Sequence, residues 1–242
     1  MISLLAAFQF LSISPAFVRR EFGPLELGRA VGFFPLVGAA IGALLWAFAS
    51  FAQALFPAEI IAVLTLGVWL VLTRALHFDG FLDSCDGLFG SFSPERRLEI
   101  MRDSRVGAFA VAGGGLLLLA KYAAILSLSN LSGLMLAPIL GRWAMSLVIV
   151  AFPYARHEGL GSWMKAHAGW AQALLATLLA SAFLLWLASA QTLLLVLVSL
   201  LALLLLAALF LRRIGGLTGD AYGAICELLE LVVLLSLVGV TP

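Results

Sequence analysis

The residues of this chain best placed to do chemistry are His77-Phe-Asp79-Gly80-Phe-Leu-Asp83-Ser-Cys-Asp86-Gly87 and the stretch that follows, through Met101-Arg102-Asp103-Ser104-Arg105. Only 11% of the residues are charged, yet Asp79, Asp83, Asp86, Glu99 and Asp103 crowd together with Arg96, Arg97, Arg102 and Arg105. If Asp79 to Asp86 is helical, Asp83 and Asp86 sit at roughly +40° and −20° from Asp79, so the three carboxylates share one face about 60° wide. Like charges that close must be neutralised by a divalent metal, by an arginine cluster or by protonation. A hard cation such as Mg²⁺ takes oxygen ligands and is held by one or two carboxylates plus substrate phosphates, which suits aspartates without an accompanying histidine or thiolate pair. The stretch reads as a magnesium and phosphate site, with Asp79, Asp83 and Asp86 as metal ligands. Gly80 and Gly87 leave bare backbone where a bulky ligand can approach. The plainer reading is an acidic loop whose carboxylates pair with the four arginines.

The elements that must position this stretch are membrane helices. The 242 residues are 63% hydrophobic and the mean hydropathy is +1.13, well above the roughly 45–50% apolar content of a soluble domain. The expected fold is an all-α polytopic membrane protein, one domain over 1–242, with about seven transmembrane helices and short interfacial ones. Residues 2–18 are apolar but interrupted by Gln9, Ser12, Ser14 and Pro15, with Arg19-Arg20 following, the reverse of a signal peptide. They read as an interfacial or re-entrant helix. Expected spans run over 30–56, kinked at Pro35 and carrying Gly32, Gly38 and Gly42 at packing spacings, then 58–76, 106–128, 133–153, 170–190, 192–211 and 224–240. Ser93-Pro94 predicts an N-cap and first-turn proline for a polar helix from Glu95 to Arg105, lying over the aspartates.

Charge placement orients the bundle. Twelve of the fourteen Lys and Arg residues fall on one side of the predicted spans and two within them, so by the positive-inside rule that side is cytoplasmic. It would carry the N-terminus and the polar loops at about 74–106, 154–169 and 212–223, with the C-terminus outside. A net charge of +1 gives no reason to expect a nucleic-acid partner, and the expected surroundings are the lipid bilayer. Cys85 and Cys226 fall on the reducing side and predict no disulfide, with Cys85 a packing residue rather than a reactive thiol.

Lys121, Arg142, Glu227 and Glu230 lie within the predicted spans, where an unpaired charge costs roughly 2.5–3.5 kcal/mol. Glu227 and Glu230 share a helical face and would either complete a metal shell or hold cations in an ion pair, with Arg142 the first partner to consider. His77 is a candidate acid, base or phosphate contact, although the helical wheel points it about 160° away from Asp79. His157 and His167 lack metal-ligand spacing and read as loop residues.

Taken together, His77-Phe-Asp79-Gly80-Phe-Leu-Asp83-Ser-Cys-Asp86-Gly87-Leu, Glu99-Ile-Met-Arg102-Asp103-Ser104-Arg105-Val-Gly107, Gly141-Arg142-Trp143, Pro153-Tyr154-Ala-Arg156, Glu158-Gly159-Leu-Gly161 and Gly215-Gly216-Leu-Thr218-Gly219-Asp220 resemble the cobalamin synthase family, the adenosylcobinamide-GDP ribazoletransferases. Phe78 and Phe81 stand where smaller aliphatics are expected, and His157 where an acid is common. The resemblance implies a Mg²⁺-dependent transferase of the bacterial inner membrane that joins α-ribazole or its 5′-phosphate to adenosylcobinamide-GDP and releases GMP. It implies Asp79, Asp83, Asp86 and Asp103 as catalytic residues. His77, Arg102, Arg105, Arg142, Arg156, Asp220, Glu227 and Glu230 would contact substrate. Other cobalamin-assembly enzymes and a second copy of the chain are the protein partners such an enzyme suggests. Two alternatives stand beside it. One is a CDP-alcohol phosphotransferase, although the alanine-arginine pair expected after the first Asp-Gly is replaced by Phe81-Leu82. The other is a cation transporter, which would place its acids at the midplane rather than at one rim.

Overall fold

A computed structural model describes residues 1–156, 158–187 and 192–238, and within them the chain is helical. α1 spans Ile2–Leu11, α2 Pro24–Ala30, and a short 3₁₀ turn at Val31–Phe33 leads into α3, Phe34–Ala52. α4 (Ala58–Leu72), α5 (Leu76–Gly90) and α6 (Pro94–Ile100) follow. The second half comprises α7 (Ala108–Leu126), α8 (Gly133–Ala151), α9 (Leu160–His167), α10 (Trp170–Trp186), α11 (Thr192–Ile214) and α12 (Gly219–Val238).

Five of these stretches are long and apolar enough to cross a bilayer: 24–52 taken together, α7, α8, α11 and α12. The bent pairs α4–α5 and α9–α10, turned by 92° and 95°, raise the number to seven. That matches the expected count of about seven, with shifted boundaries. The kink expected at Pro35 is the 3₁₀ turn just before it. The last span begins at Gly219 rather than Ala224, and its predicted end at Val240 lies outside the described residues, as do 188–190 of the fifth.

α8 is the central post. Nearly all of it is buried, because α3 and α12 pack along it. The close approach of α3 depends on its glycines: a Cβ at Gly42 would sit 2.7 Å from Met135, and one at Gly38 would collide with the Pro138 carbonyl. Side-chain-free surfaces of this kind let backbones meet where lipid supplies no hydrophobic drive. α11 presents many exposed leucines, the surface that a membrane helix offers to lipid.

The stretch expected as a loop over 74–106 is largely helical. At the α4–α5 turn, Arg74 and Ala75 take φ of 54° and 51°, a left-handed conformation that is unfavourable for residues with a Cβ. Arg74 Nη2 donates to the Phe10 carbonyl at 2.8 Å, which ties this turn to the C-terminal end of α1. Four pairs of neighbours, Phe78 and Leu82 at Gly114, Cys85 at Gly113, and Asp86 at Gly107, show α5 running antiparallel to α7. α6 starts as expected, with Pro94 in its first turn and Ser93 Oγ accepting from the Arg96 N–H at 3.3 Å, but it ends at Ile100 rather than reaching Arg105.

Candidate active site

α5 does carry its three aspartates along one helix, and the structure shows what surrounds each of them. Asp79, Asp83 and Asp86 line a cavity of about 190 Å³ that Arg102, Asp103 and Arg105 also border. Asp79 and Arg102 in addition line a neighbouring cavity of about 500 Å³, so the small acidic recess and the large one share a wall. Among the described residues no arginine pairs with these three aspartates. Arg96 pairs with Glu99 at 2.6 Å and Arg105 with Asp103 at 2.7 Å, while Arg97 donates to the carbonyls of Ser91 and Arg213.

The three carboxylates are not equivalent. Asp86 Oδ2 accepts from the Gly107 N–H at 2.6 Å and its Oδ1 from the Ala110 N–H at 2.9 Å. It therefore caps the N-terminus of α7, where orphan N–H groups and the helix dipole favour a carboxylate. Both of its oxygens are engaged with backbone, so of the three carboxylates expected to hold a metal Asp86 is the one already tied to the fold. Asp79 and Asp83 have no such commitment, and Asp83 is half-buried in the combined field of Asp220, Asp79 and Asp86, opposed by Arg156.

The glycines of this helix serve packing, and Gly80 also lines the cavity of about 500 Å³, as expected of bare backbone that a ligand can approach. A Cβ on Gly80 would lie 2.9 Å from the Asp220 carbonyl oxygen, and one on Gly87 would strike the Met101 side chain. Gly80 thus brings α12 against α5 and sets Asp220 beside the aspartates. The other half of the site is built by two loops that join in a parallel bridge between Tyr154 and Leu217. Ala155 N–H donates to the Leu217 carbonyl at 2.7 Å and Leu217 N–H to the Pro153 carbonyl at 2.9 Å. Gly216 permits this contact, because a Cβ there would lie 2.8 Å from the Ala155 nitrogen. The bridge presents Arg156 to Asp220, Nη2 to Oδ2 at 2.8 Å. Thr218 Oγ1 accepts from the Ala221 N–H at 3.1 Å and caps the start of α12.

Arg102, Arg156, Asp79 and Asp220 form the polar side of the large cavity, and Phe10, Met145, Ile149, Tyr154 and Tyr222 supply much of the rest. α9 closes it with Leu160, Gly161 and Met164. His77 lines it as well, despite the angle that separates it from Asp79 on the wheel, because the cavity wraps round the first turn of α5. Pattern reading missed Tyr154 and Tyr222, whose rings lie 5.9 Å apart. Their one signal was position, each standing within two residues of a residue singled out by charge.

Asp103 and Arg105 sit at the mouth of the small recess, bound mainly to each other. Arg105 Nε and Nη2 and its backbone N–H all donate to the Asp103 carboxylate. The side-chain bonds first, and then the backbone bond, hold Asp103 down at about 2. Such a carboxylate has little tendency to take a proton at neutral pH, so the structure favours Asp79 or Asp83 over Asp103 as a base.

The intramembrane charges line neither cavity themselves but lie behind His77. Lys121 Nζ is 2.5 Å from Glu227 Oε2 and 2.5 Å from Glu230 Oε2. Glu230 also pairs with Arg142, and Arg142 Nη2 donates to His77 Nδ1 at 3.2 Å. Two cations and two carboxylates cancel. Of the two roles expected for the glutamates, the structure shows the ion pair, with Lys121 as the partner that pattern reading did not supply. Direct substrate contact by Arg142, Glu227 and Glu230 is corrected in the same way: none of them lines a described cavity. Cys85 and Cys226 are free and buried. His167 ends α9, with Nδ1 3.0 Å from the Trp163 carbonyl, rather than lying in a loop. His157 lies outside the described residues.

The donors present fit a magnesium ion in one particular way. Among the described residues no three Asp, Glu, His or Cys side chains converge as a cage. Mg²⁺ does not require one, since it is usually held by one or two carboxylates plus substrate phosphates, and Asp79 and Asp83 are the two uncommitted carboxylates at the recess.

A many-helix membrane protein whose polar loops and acidic residues line two adjoining cavities is the class that this fold and site define. Within that class the chain belongs to the cobalamin-5-phosphate synthase family, whose model matches residues 3–238. It is 41% identical to the adenosylcobinamide-GDP ribazoletransferase of Pseudomonas savastanoi pv. phaseolicola, covering 98% of this chain and 99% of that one. The proteins of the same name from Pseudomonas syringae pv. syringae and Desulforamulus reducens are 41% and 39% identical, each over 98% of this chain and 99% and 96% of their own. No solved structure matches.

Proposed function

We infer that this protein joins α-ribazole, or its 5′-phosphate, to adenosylcobinamide-GDP at a membrane and releases GMP. The observation that carries the reading is the end-to-end match to relatives of that name, on a chain that sets Arg102 and Arg156 beside Asp79 in one cavity. A ribose hydroxyl of the ribazole attacks the phosphorus that bears the cobinamide. A new P–O bond forms, the bond to the bridging oxygen breaks, and GMP departs with the electron pair. Arg102 and Arg156, near the acidic recess, are placed to bind the diphosphate oxygens, a role to which the guanidinium fork is suited. Asp79 or Asp83 accepts the hydroxyl proton, a modest contribution in a reaction governed by positioning and charge. Held by Asp79 and Asp83 and by substrate phosphate oxygens, Mg²⁺ would neutralise the diphosphate and the leaving group.

The arrangement of cations supports an active site on the cytoplasmic face of the inner membrane. Such a site suits an enzyme that receives a soluble nucleotide-linked substrate and hands on its product to further cobalamin-assembly steps. Purified protein in detergent, given adenosylcobinamide-GDP, α-ribazole and Mg²⁺, should release GMP. Turnover of a CDP-linked lipid instead, or ion flux in vesicles without turnover, would reverse the assignment.

A further inference from the structure

The neutral charge network of α7, α8 and α12 ends on a histidine at the cavity wall. Arg142 Nη2 meets His77 Nδ1 at 3.2 Å. A guanidinium has only donors to offer and keeps its charge in proteins. His77 Nδ1 must therefore supply a lone pair, and the ring proton is assigned to Nε2. His77 is 2% exposed, and its Nε2 has no hydrogen-bond partner among the described residues. The hydroxyl of Tyr222, another residue of the same wall, is likewise buried without a partner. Buried donors are almost always satisfied in a working protein, so two unmet ones at a cavity point to a ligand that meets them.

We propose that Arg142 locks His77 as its Nε2–H tautomer so that the ring donates a hydrogen bond to an uncharged acceptor of the substrate, of the carboxamide-carbonyl kind. The acceptor is uncharged because the network behind His77 balances to zero and the nearby wall is apolar, with Met145 and Ile149. The phosphates have Arg102 and Arg156 elsewhere in the same cavity. His77 thus reads the organic body of the substrate rather than its diphosphate. Arg142 is a positioning residue that acts through His77, and Glu230 and Lys121 hold Arg142 in turn. The assignment rests on the transferase reading for its substrate and on geometry alone for its tautomer.

Two measurements test it. In the GMP-release assay, His77→Phe should raise KM for one of the two substrates about tenfold, the size expected for one lost hydrogen bond, with kcat nearly unchanged. His77→Gln, which retains both a donor and an acceptor, should recover most of that loss. In ¹⁵N NMR of histidine-labelled protein, His77 should show the Nε2–H tautomer, its Nε2–H resonance should move on addition of substrate, and Arg142→Gln should shift the Nδ1 signal. An unchanged KM for both substrates in His77→Phe, or a ring found as the Nδ1–H or doubly protonated form, overturns the proposal. If His77→Phe does not accumulate, the wild-type spectra decide the matter alone. A wild-type protein that releases no GMP strikes the transferase reading instead, and the spectra still judge the tautomer.

Discussion

Asp86 and Gly107 are joined at 2.6 Å, carboxylate oxygen to backbone N–H, so one of three aspartates that look alike in sequence belongs to the architecture of α7. All three aspartates line the recess, but one of them is tied to backbone as a helix cap and the other two are not. Asp86→Ala should lower stability by about 1–2 kcal/mol, the loss typical of an N-cap, and leave the Mg²⁺ concentration for half-maximal activity unchanged. Thermal unfolding in detergent and a magnesium titration of GMP release measure the two effects.

Asp79→Ala and Asp83→Ala should behave in the opposite way. Each should reduce kcat more than about 100-fold, as loss of part of a preorganised electrostatic clamp does, while melting near the wild-type temperature. Near-normal turnover in either variant removes that residue from the site.

The Lys121 network predicts a rescue. Lys121→Met leaves Glu227 and Glu230 with one cation between them and should destabilise the fold by about 3–5 kcal/mol, as breaking a buried pair does. Adding Glu227→Gln removes the surplus negative charge and should restore much of the loss, because Arg142 still answers Glu230. If the double variant is no more stable than Lys121→Met, the charge balance described for this network is wrong.

Asp103 predicts an absence of effect on the pH profile. Its folded-state value of about 2 is depressed below the usual carboxylate range. The Asp103–Arg105 contact is therefore complete above that usual range and is lost only as pH falls through about 2. Asp103→Asn should leave the acid limb of kcat/KM between pH 5 and 8 where it is in the wild type. An acid limb that disappears in the variant would make Asp103 the base after all.

Much of this was legible in the sequence because it is local. The helix bearing Asp79, Asp83 and Asp86, the Ser93-Pro94 start of α6, and Gly38 and Gly42 at a helix contact all follow from spacing within one segment. What spacing could not supply was the partner. A helical wheel puts Asp86 on the same face as Asp79 but is silent about the N-terminus of α7 that meets it. Glu227 reads equally well as a ligand or an ion-pair partner until Lys121, 106 positions away in sequence, is found against it. Gly80 was read only in part for the same reason: its bare backbone lines the cavity as expected, but spacing did not show that it also admits α12. Tyr154 and Tyr222 carry no charge pattern, and only the fold brings them together, Tyr154 on the bridge between loops and Tyr222 in the first turn of α12.

The order of those pairings along the chain bears on how the protein is made. Lys121 and Arg142 belong to α7 and α8, whereas both glutamates that answer them belong to α12, which leaves the ribosome after them. Until that helix threads into the bilayer, the nascent bundle must shelter two bare cations, by local water or by contact with the insertion machinery. A truncated product ending before Gly219 should therefore be retained by quality control rather than accumulate as a partial bundle.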